Sequence, residues 1–452
     1  MLVYEPKVLH QGIDFLTIDY FATNANDYLS LYVPFLDRLE KFKIEAQKDD
    51  RFGAKFVKAR LVKNSDLMVD FGDWFVSSKG LNRFAYYFEN SDFRVFASKS
   101  KIGSDLPQIR IEIPAKTIFR IGVKNAITLF ERFLRYVLGN SYKRRVNRLD
   151  LATDVGSIMY SSKDIFRFQT RMGMSHFTEE KSVTNYLRFQ RFQGIQFGKG
   201  AKVFRIYDKT QKIAKSPNEA YIKEKWRFNG YNEDYPVYRH EVQYRRDEIK
   251  KFIPSYCDDE VEYLLPKLGN LWFKAIGLVE YVPLNDIEIN RIYDNPLIKS
   301  DTKRKIFYRA KKDKRRYQFW DILRSWENQV FMPIEKFKKV KIYDIENVKR
   351  QFKAFFGSLF KYSGGDLTEF RKIIKEVEQD LKRDGSDLVS YGLYKLATSF
   401  VDNYEAIMMS DEIFPQSEYL KIVDLYDEFK IAMREVNNKD YVRVFGRVVN
   451  LV

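Results

Sequence analysis

Sulfur and imidazole ligands are scarce in this chain of 452 residues, which contains one cysteine and three histidines. Cys257 has no second thiol with which to form an internal disulfide, so a disulfide-stabilised secreted scaffold is excluded. The same count excludes a cysteine-rich zinc site. His10, His176 and His240 are far apart and form no His-x-His pair. Any metal site in this protein must therefore be built mainly from carboxylates.

Long apolar runs are also missing. No stretch reaches the roughly 18 consecutive apolar residues that indicate a membrane helix, and Glu5, Asp14 and Asp19 are not typical of a signal peptide. No Gly-x-x-x-x-Gly-Lys-Ser/Thr motif occurs, so the sequence does not indicate an ATP-driven helicase. We expect a soluble, cytoplasmic protein with no membrane partner.

Acidic residues are outnumbered, because 79 Lys and Arg against 62 Asp and Glu give a net charge of +17. The excess is uneven: residues 1–340 carry 62 basic and 43 acidic side chains, whereas residues 341–452 carry 17 and 19. A positive field of this size concentrates polyanions at a protein surface. The distribution predicts that residues 1–340 bind nucleic acid and that the remainder does not.

The densest basic run is KRKIFYRAKKDKRR, residues 303–316, with nine basic residues and one acidic residue. Phe307 and Tyr308 interrupt it, and basic residues interleaved with aromatic ones favour nucleic acid. We predict DNA contacts from its basic side chains, which are Lys303, Arg304, Lys305, Arg309, Lys311, Lys312, Lys314, Arg315 and Arg316. The alternative is a solvated helix face whose charge serves solubility.

Residues 1–255 mix strand-like and helix-like patterns. The run Gly12–Tyr20 is rich in β-branched and aromatic residues, which predicts a strand. Apolar residues at helical spacing predict helices over Asn26–Gln47 and Ala126–Leu138. Short alternating stretches separated by Gly, Asn, Asp and Ser indicate further antiparallel strands. The predicted fold class is therefore α+β, with a mainly antiparallel sheet and packed helices.

Helical patterns dominate the rest of the chain. Residues 256–340 are predicted to form a basic, mainly helical DNA-binding extension, in which three tryptophans are packing anchors, Trp272, Trp320 and Trp326. Residues 341–452 are predicted to form an all-helical C-terminal domain. Within it, Asp366–Glu369 has the form of a capping box, and Ser417 is expected to cap a last helix through Val436.

Three strand-like segments contain charged residues, which are costly to bury unless they are paired or used. The segments are residues 147–154 (NRLDLATD), 204–209 (FRIYDK) and 238–245 (YRHEVQYR). Alternation places Asp150 on the face shared by Arg148 and Asp154, and Glu241 on the face shared by Arg239 and Gln243. If the strands are neighbours, Asp150 and Glu241 converge in an oxygen-rich site suited to Mg²⁺ or Mn²⁺. The alternative is a set of structural ion pairs.

Together and in this order, the three segments resemble the replication initiation factor family, which includes rolling-circle plasmid initiators of the replication-transfer type and related relaxases of conjugative elements. An Arg-x-Asp-x-x-x-Asp strand is matched by Arg148 to Asp154, an Arg-Ile-Tyr-Asp-Lys segment by Arg205 to Lys209, and an Arg-x-Glu strand by Arg239 to Glu241. The similarity covers roughly residues 10–330.

The resemblance implies a palm-like antiparallel sheet and an enzyme that nicks and rejoins an origin strand through a tyrosine, with a divalent metal, Mg²⁺ or Mn²⁺. In that interpretation Asp150 and Glu241 are metal ligands and Asp154 is a second candidate. Arg205 and Lys209 contact the phosphate backbone. Arg148 and Arg239 are further DNA-binding candidates.

The expected nucleophile departs from the family pattern. The family places a tyrosine shortly before the Arg-Ile-Tyr-Asp-Lys segment, and Gln196 stands there in this chain. Tyr186 and Tyr207 are the substitutes. Lys199, within Gly198–Gly200, either lies in a turn that DNA approaches closely or belongs to a simple hairpin turn.

Two functional hypotheses that involve DNA follow, beside a third, which is a role unrelated to DNA for an ordinary basic α+β protein. The first is a metal-dependent DNA nicking and joining protein that initiates replication or transfer of a plasmid, phage or integrated element. The second is a DNA-binding initiator or regulator that keeps the fold and has lost nicking, as Gln196 suggests. The expected partner is origin DNA, single-stranded or hairpin; a host helicase and a second copy of the chain are further candidates.

Overall fold

The structure is a computed structural model. It describes residues 2–48, 56–61, 72–170, 172, 183–188, 191–215, 220–293, 295, 300–312, 316–326, 334, 336, 345–362 and 366–383. The chain divides into two compact units, residues 1–335 and 336–452.

One large antiparallel sheet dominates the first unit. Its strands within the described residues are β1 (Leu2–Ala22), β2 (Phe56–Ala59), β3 (Trp74–Ser77), β4 (Tyr86–Glu89), β5 (Arg94–Ala97), β6 (Ile109–Pro114), β7 (Tyr142–Met159), β9 (Val183–Arg188), β10 (Arg191–Phe197), β11 (Lys202–Asp208) and β12 (Val237–Arg245). Their spatial order is β2-β3-β4-β5-β6-β1-β7-β12-β11-β10-β9. Two short strands, β8 (Phe168–Thr170) and β13 (Val279–Tyr281), form a separate antiparallel pair. The predicted α+β class with a mainly antiparallel sheet is confirmed.

Helices pack against the sheet, and the described elements after the last strand in the chain are all helices. Those in the first unit are α1 (Ala25–Asp27), α2 (Val33–Lys48), α3 (Ala115–Ile121), α4 (Val123–Val137), α5 (Lys209–Lys215), α6 (Tyr221–Phe228), α7 (Arg246–Ile249), α8 (Glu260–Leu264), α9 (Leu268–Ile276), α10 (Asp286–Tyr293), α11 (Ser300–Lys312) and α12 (Phe319–Arg324). A π-helical turn, Tyr28–Tyr32, joins α1 to α2. The second unit contains α13 (Ile345–Tyr362) and α14 (Leu367–Arg383).

The main hydrophobic core lies on one face of the sheet. Helix α4 contributes Phe130, Phe133 and Leu134, which are all buried, because its apolar residues recur at intervals of three and four. Alternation along β12 and β7 directs Val242 and Leu151 into the same core. The helices predicted over Asn26–Gln47 and Ala126–Leu138 are confirmed, with bounds shifted by a few residues.

The described residues between 256 and 326 contribute to the core of the first unit. The three tryptophans predicted as packing anchors are buried there. The indole of Trp272 donates a hydrogen bond to the Leu323 carbonyl at 2.6 Å, and that of Trp320 donates to the Val279 carbonyl at 2.8 Å. These bonds satisfy the polar edge of each ring, so the indoles can be fully buried.

In the second unit, the structure describes two helices. The Asp366 carboxylate accepts a hydrogen bond of 2.7 Å from the Thr368 backbone N–H at the start of α14, which confirms the predicted helix start. The helix predicted from Ser417 to Val436 lies outside the described residues. No helix in the described part of the chain is long and apolar enough to cross a membrane.

Candidate functional site on the polar face of the sheet

The sheet order makes neighbours of the three charged segments. Strand β12 lies between β7 and β11, so Glu241 pairs with Ala152 on one side and with Arg205 on the other. Gln243 pairs with Asp150 in the same register. Asp150 and Glu241 are therefore diagonal neighbours on one face of two adjacent strands, as the alternation of residues predicts. This polar face is opposite the hydrophobic core.

The centre of the polar face contains a hydrogen-bonded row of a tyrosine, a carboxylate and an arginine. The Tyr207 hydroxyl donates to Glu241 Oε2 at 2.9 Å, and Arg205 Nη1 donates to Glu241 Oε1 at 3.0 Å. Glu241 is only 6% exposed. Burial, followed by the Glu241 charge, raises the pKa of Tyr207 well above 10. The phenol is thus protonated at neutral pH, and its hydroxyl proton already faces a base.

Arg205 is held by two glutamines as well. Its Nε donates to Gln196 Oε1 at 2.9 Å, and its Nη1 donates to Gln243 Oε1 at 3.0 Å. Gln196, which occupies the position expected for the nucleophile, thus lies at the site and orients Arg205. The Nε2 of Gln243 is buried and has no hydrogen-bond partner among the described residues. A buried donor of this kind is costly unless a ligand or water accepts its hydrogen bond.

Asp150 forms the other half of the acidic pair. Arg148 donates from Nε to Asp150 Oδ1 at 2.9 Å, and the Arg148 guanidinium lies over the Phe15 ring at 4.5 Å. Burial raises the pKa of Asp150 to about 7; Arg148 opposes the rise, and the Glu241 charge adds to it. The Arg148 side chain is 35% exposed, so it remains accessible to a ligand on this face.

The donor set decides whether a divalent cation fits here. Each Glu241 oxygen accepts one of the hydrogen bonds described above, and a carboxylate oxygen can accept two. Mg²⁺ is usually held by one or two carboxylates, while waters and substrate phosphates complete its shell. Groups of three or more acidic, histidine or cysteine side chains with metal-binding geometry are absent from the described residues. Asp150 and Glu241 thus match a two-carboxylate site in number, although both oxygens of Asp150 accept hydrogen bonds from Arg148, as those of Asp154 do from Arg239.

Asp154, the second metal candidate, is engaged in a buried ion pair. Arg239 donates to its two oxygens at 2.6 and 2.8 Å, and Trp226 Nε1 donates to Oδ2 at 3.0 Å. Arg239 also pairs with Asp14. Burial alone would raise the pKa of Asp154, but the Arg239 charge outweighs it and the pKa is lowered. These contacts favour a structural clamp of Asp14, Arg239 and Asp154 over metal binding by Asp154.

Two predicted DNA contacts, Arg239 and Lys209, interact with the carboxylates of this clamp. Arg239 is 1% exposed and both of its partners are acidic, so its placement favours the clamp over a phosphate contact. Lys209 is also buried, and its charge lowers the pKa of Asp14 and of Asp154. Lys212 lies one helical turn further on, with its Nζ 5.3 Å from the centre of the Tyr207 ring.

The remaining candidates from this region lie at the sheet edge. Tyr186 pairs through its backbone with Gly194, which in turn pairs with Tyr207. Lys199 is exposed in the hairpin turn between β10 and β11. Gly198 has φ of 76°, a left-handed conformation that favours glycine, so this segment forms a hairpin turn between two paired strands, and DNA contact at Lys199 stays a prediction.

The basic run is divided between two environments. Most of it forms α11, where Phe307 stacks on Phe166 with ring centroids 5.1 Å apart. Lys311, one turn later, is 3% exposed and donates to the Phe168 carbonyl at 2.6 Å. Lys305 and Arg309 are exposed. Lys303 is half-buried, and Arg316 is exposed and pairs with Asp321. Four other basic side chains of the run lie outside the part of the chain that the structure describes: Arg304, Lys312, Lys314 and Arg315.

The sequence does not predict the contacts of two site residues, Asp14 and Trp226. Irregular pairing of β1 with β7 between Ile13 and Phe15 places Asp14 where it reaches Arg239. Trp226 belongs to α6, and its indole reaches Asp154 across the sheet face. By contrast, His240 alternates with Glu241 along β12, which places it on the core face: it is fully buried, its Nε2 lies 2.9 Å from the Tyr160 hydroxyl, and burial lowers its pKa to about 3.

Comparison with known proteins adds no assignment, because no family model and no curated protein matches the chain.

Proposed function

We propose that this protein nicks and rejoins a single DNA strand through Tyr207 and so initiates replication or transfer of a plasmid, phage or integrated element. One observation carries the proposal: the hydrogen-bonded row Tyr207–Glu241–Arg205. It is the arrangement of a nucleophile, a base and a group that orients the base. The resemblance of the three strand segments to replication initiation factors supports the same conclusion.

The chemistry assigned to these residues is a reversible transesterification. The Tyr207 oxygen attacks the scissile phosphorus while its proton passes to Glu241. The bond from phosphorus to the 3′-oxygen breaks, and the leaving oxygen takes a proton from a water, whose hydroxide takes the proton held by Glu241. The products are a 3′-hydroxyl, a 5′-phosphotyrosine and an ionised Glu241. Attack by a 3′-hydroxyl reverses the step, and its proton passes through water and Glu241 to the Tyr207 oxygen.

The surrounding groups have supporting roles. Arg148 and the Nε2 of Gln243 supply donors for the phosphate oxygens, since one is partly exposed and the other has no partner among the described residues. A divalent cation, Mg²⁺ or Mn²⁺, held by Asp150 and Glu241 would neutralise charge on the scissile phosphate.

The wider architecture is part of the proposal. The sheet is a palm-like scaffold for the site, and residues 341–452 form a helical domain that contacts a helicase or a second copy of the chain. The exposed Lys199, Lys305 and Arg309 hold DNA. We place the activity in the cytoplasm.

A covalent adduct tests the proposal. The protein is incubated with Mn²⁺ and a pool of single-stranded oligonucleotides of randomised sequence, then denatured. We expect an oligonucleotide-bound species for the natural protein and for the control Tyr256→Phe, which alters a tyrosine that is 62% exposed on the surface. Tyr207→Phe keeps the ring and removes only the hydroxyl, so it should abolish the adduct. An adduct of normal yield in Tyr207→Phe would refute the role of this tyrosine.

A second function is favoured by Gln196. Its amide orients Arg205 at the position where a family nucleophile is expected, which suits a protein that binds DNA without cutting it. Tight, salt-sensitive DNA binding with no adduct under either metal would establish this alternative.

A further inference from the structure

A cavity of about 410 Å³ lies beside the polar face of the sheet. Strand β1 forms its floor, and helices α3 and α6 form its walls. Its volume falls in the range of roughly 300–1,000 Å³ that is usual for small-molecule sites. The Arg239–Asp14–Asp154 clamp does not use this space, although Asp14 lines it.

Three aromatic side chains form a row in the cavity wall. The rings of His10 and Phe119 meet edge to face with centroids 5.9 Å apart, and those of Phe119 and Tyr221 are tilted at 5.1 Å. Phe119 is 38% exposed, so part of its ring is available to a ligand. Exposed aromatic rings beside a cationic surface are the usual platform for unstacked bases.

Polar groups at the cavity complement the aromatic row. Lys225 from α6 supplies a positive charge, and its Nζ lies over the Phe228 ring at 5.6 Å. Asn229, whose Nδ2 donates to the Leu9 carbonyl at 2.7 Å, and Asp14 also line the cavity. Burial lowers the pKa of His10, so at neutral pH its imidazole offers one donor and one acceptor. Such groups can read the hydrogen-bonding edge of a planar heterocycle.

We propose that this cavity binds one nucleobase of the single strand that the polar face holds. The inference rests on the proposed function and adds a base-specific subsite to it. Asp14 connects the two regions: it lines the cavity, and its carboxylate pairs with Arg239, whose strand neighbour two residues on is Glu241. A base in the cavity would fix the register of the strand relative to Tyr207.

Abasic scanning tests the subsite. The probes are single-stranded oligonucleotides that the protein binds, each with one base removed at a different position. We expect one position at which removal weakens binding about 5- to 100-fold, the range that stacking of one base supplies. Phe119→Ala should lose this position-specific penalty. Phe355→Ala is the control, because Phe355 lies on α13, is 60% exposed and does not line the cavity.

The possible results distinguish failure of the base subsite from failure of the nicking proposal. Oligonucleotide binding with no position-specific penalty, or with the same penalty in Phe119→Ala, refutes the subsite and leaves the nicking proposal standing. Failure to bind any single strand refutes both. A free nucleoside monophosphate that binds in a manner sensitive to Phe119→Ala, while the abasic series stays flat, identifies a free nucleotide as the occupant and also overturns the proposal.

Discussion

Tyr207 and Glu241 lie on neighbouring antiparallel strands, and the tyrosine hydroxyl donates a hydrogen bond of 2.9 Å to the carboxylate. They are diagonal neighbours, because Tyr207 pairs with Arg239 and Glu241 pairs with Arg205. The register of two strands therefore creates the contact between nucleophile and base, without any loop. A site supported by a sheet keeps its geometry more precisely than one supported by loops.

Arg205→Lys should slow adduct formation about 10- to 100-fold. The lysine cannot reproduce the planar fork that reaches Gln196, Gln243 and Glu241 together. Hydrogen bonds to charged groups contribute roughly 1.5–3 kcal/mol, which sets the expected range. The measurement is the rate of adduct formation at saturating oligonucleotide. Arg227→Lys, at an exposed arginine on α6, should retain the natural rate. Equal rates for both variants would show that Arg205 does not orient Glu241.

Asp154→Ala should lower the free energy of unfolding by about 3–5 kcal/mol, because it leaves the buried Arg239 without its main partner. Urea denaturation measures the change. Asp247→Ala removes an acid from an exposed pair with Lys250 and should change the free energy by less than about 1 kcal/mol. A small effect of Asp154→Ala would mean that Arg239 is not held by the clamp.

The burial of Lys311 should make the stability of the protein depend on pH. Burial lowers its pKa in the folded protein from 10.5 to about 7. Between these values the unfolded chain binds more protons than the folded protein, so stability should rise as the pH increases from about 7 toward 10.5. The contribution is at most about 1.4 kcal/mol per pH unit. Lys311→Met should remove this part of the slope, whereas Lys305→Met, at an exposed residue of the same helix, should not. Identical slopes would contradict the burial of Lys311.

We expect the charges of Lys305 and Arg309 to contribute to the salt dependence of DNA binding. If each contacts a phosphate of a single strand, replacing both by Gln should reduce the slope of log affinity against log salt by about 1.4. The matched double variant is Lys382→Gln with Arg383→Gln, which removes two exposed charges from the second unit. It should leave the slope unchanged. Equal slopes for the two variants would exclude α11 from the DNA-binding surface.

Much of the sheet and its helices could be predicted from residue patterns. Apolar spacing located α4, and alternation placed Asp150 and Glu241 on matching faces. The contact of Asp14 with Arg239 could not be predicted in this way, because the irregularity between Ile13 and Phe15 breaks the alternation of residues along β1. The burial of Lys311 could not be predicted either, since a lysine on the core side of a basic helix has the same sequence signature as its exposed neighbours.

Locating the covalent bond between protein and DNA tests whether Tyr207 is the nucleophile. After reaction with single-stranded DNA and Mn²⁺, nuclease trimming and trypsin digestion should leave Tyr207 in the peptide Ile206–Lys209 and Tyr186 in the peptide Ser182–Arg188. Mass spectrometry then shows which peptide carries the nucleotide remnant. We predict the remnant on Ile206–Lys209. A remnant on Ser182–Arg188, or on any other peptide, would contradict this prediction.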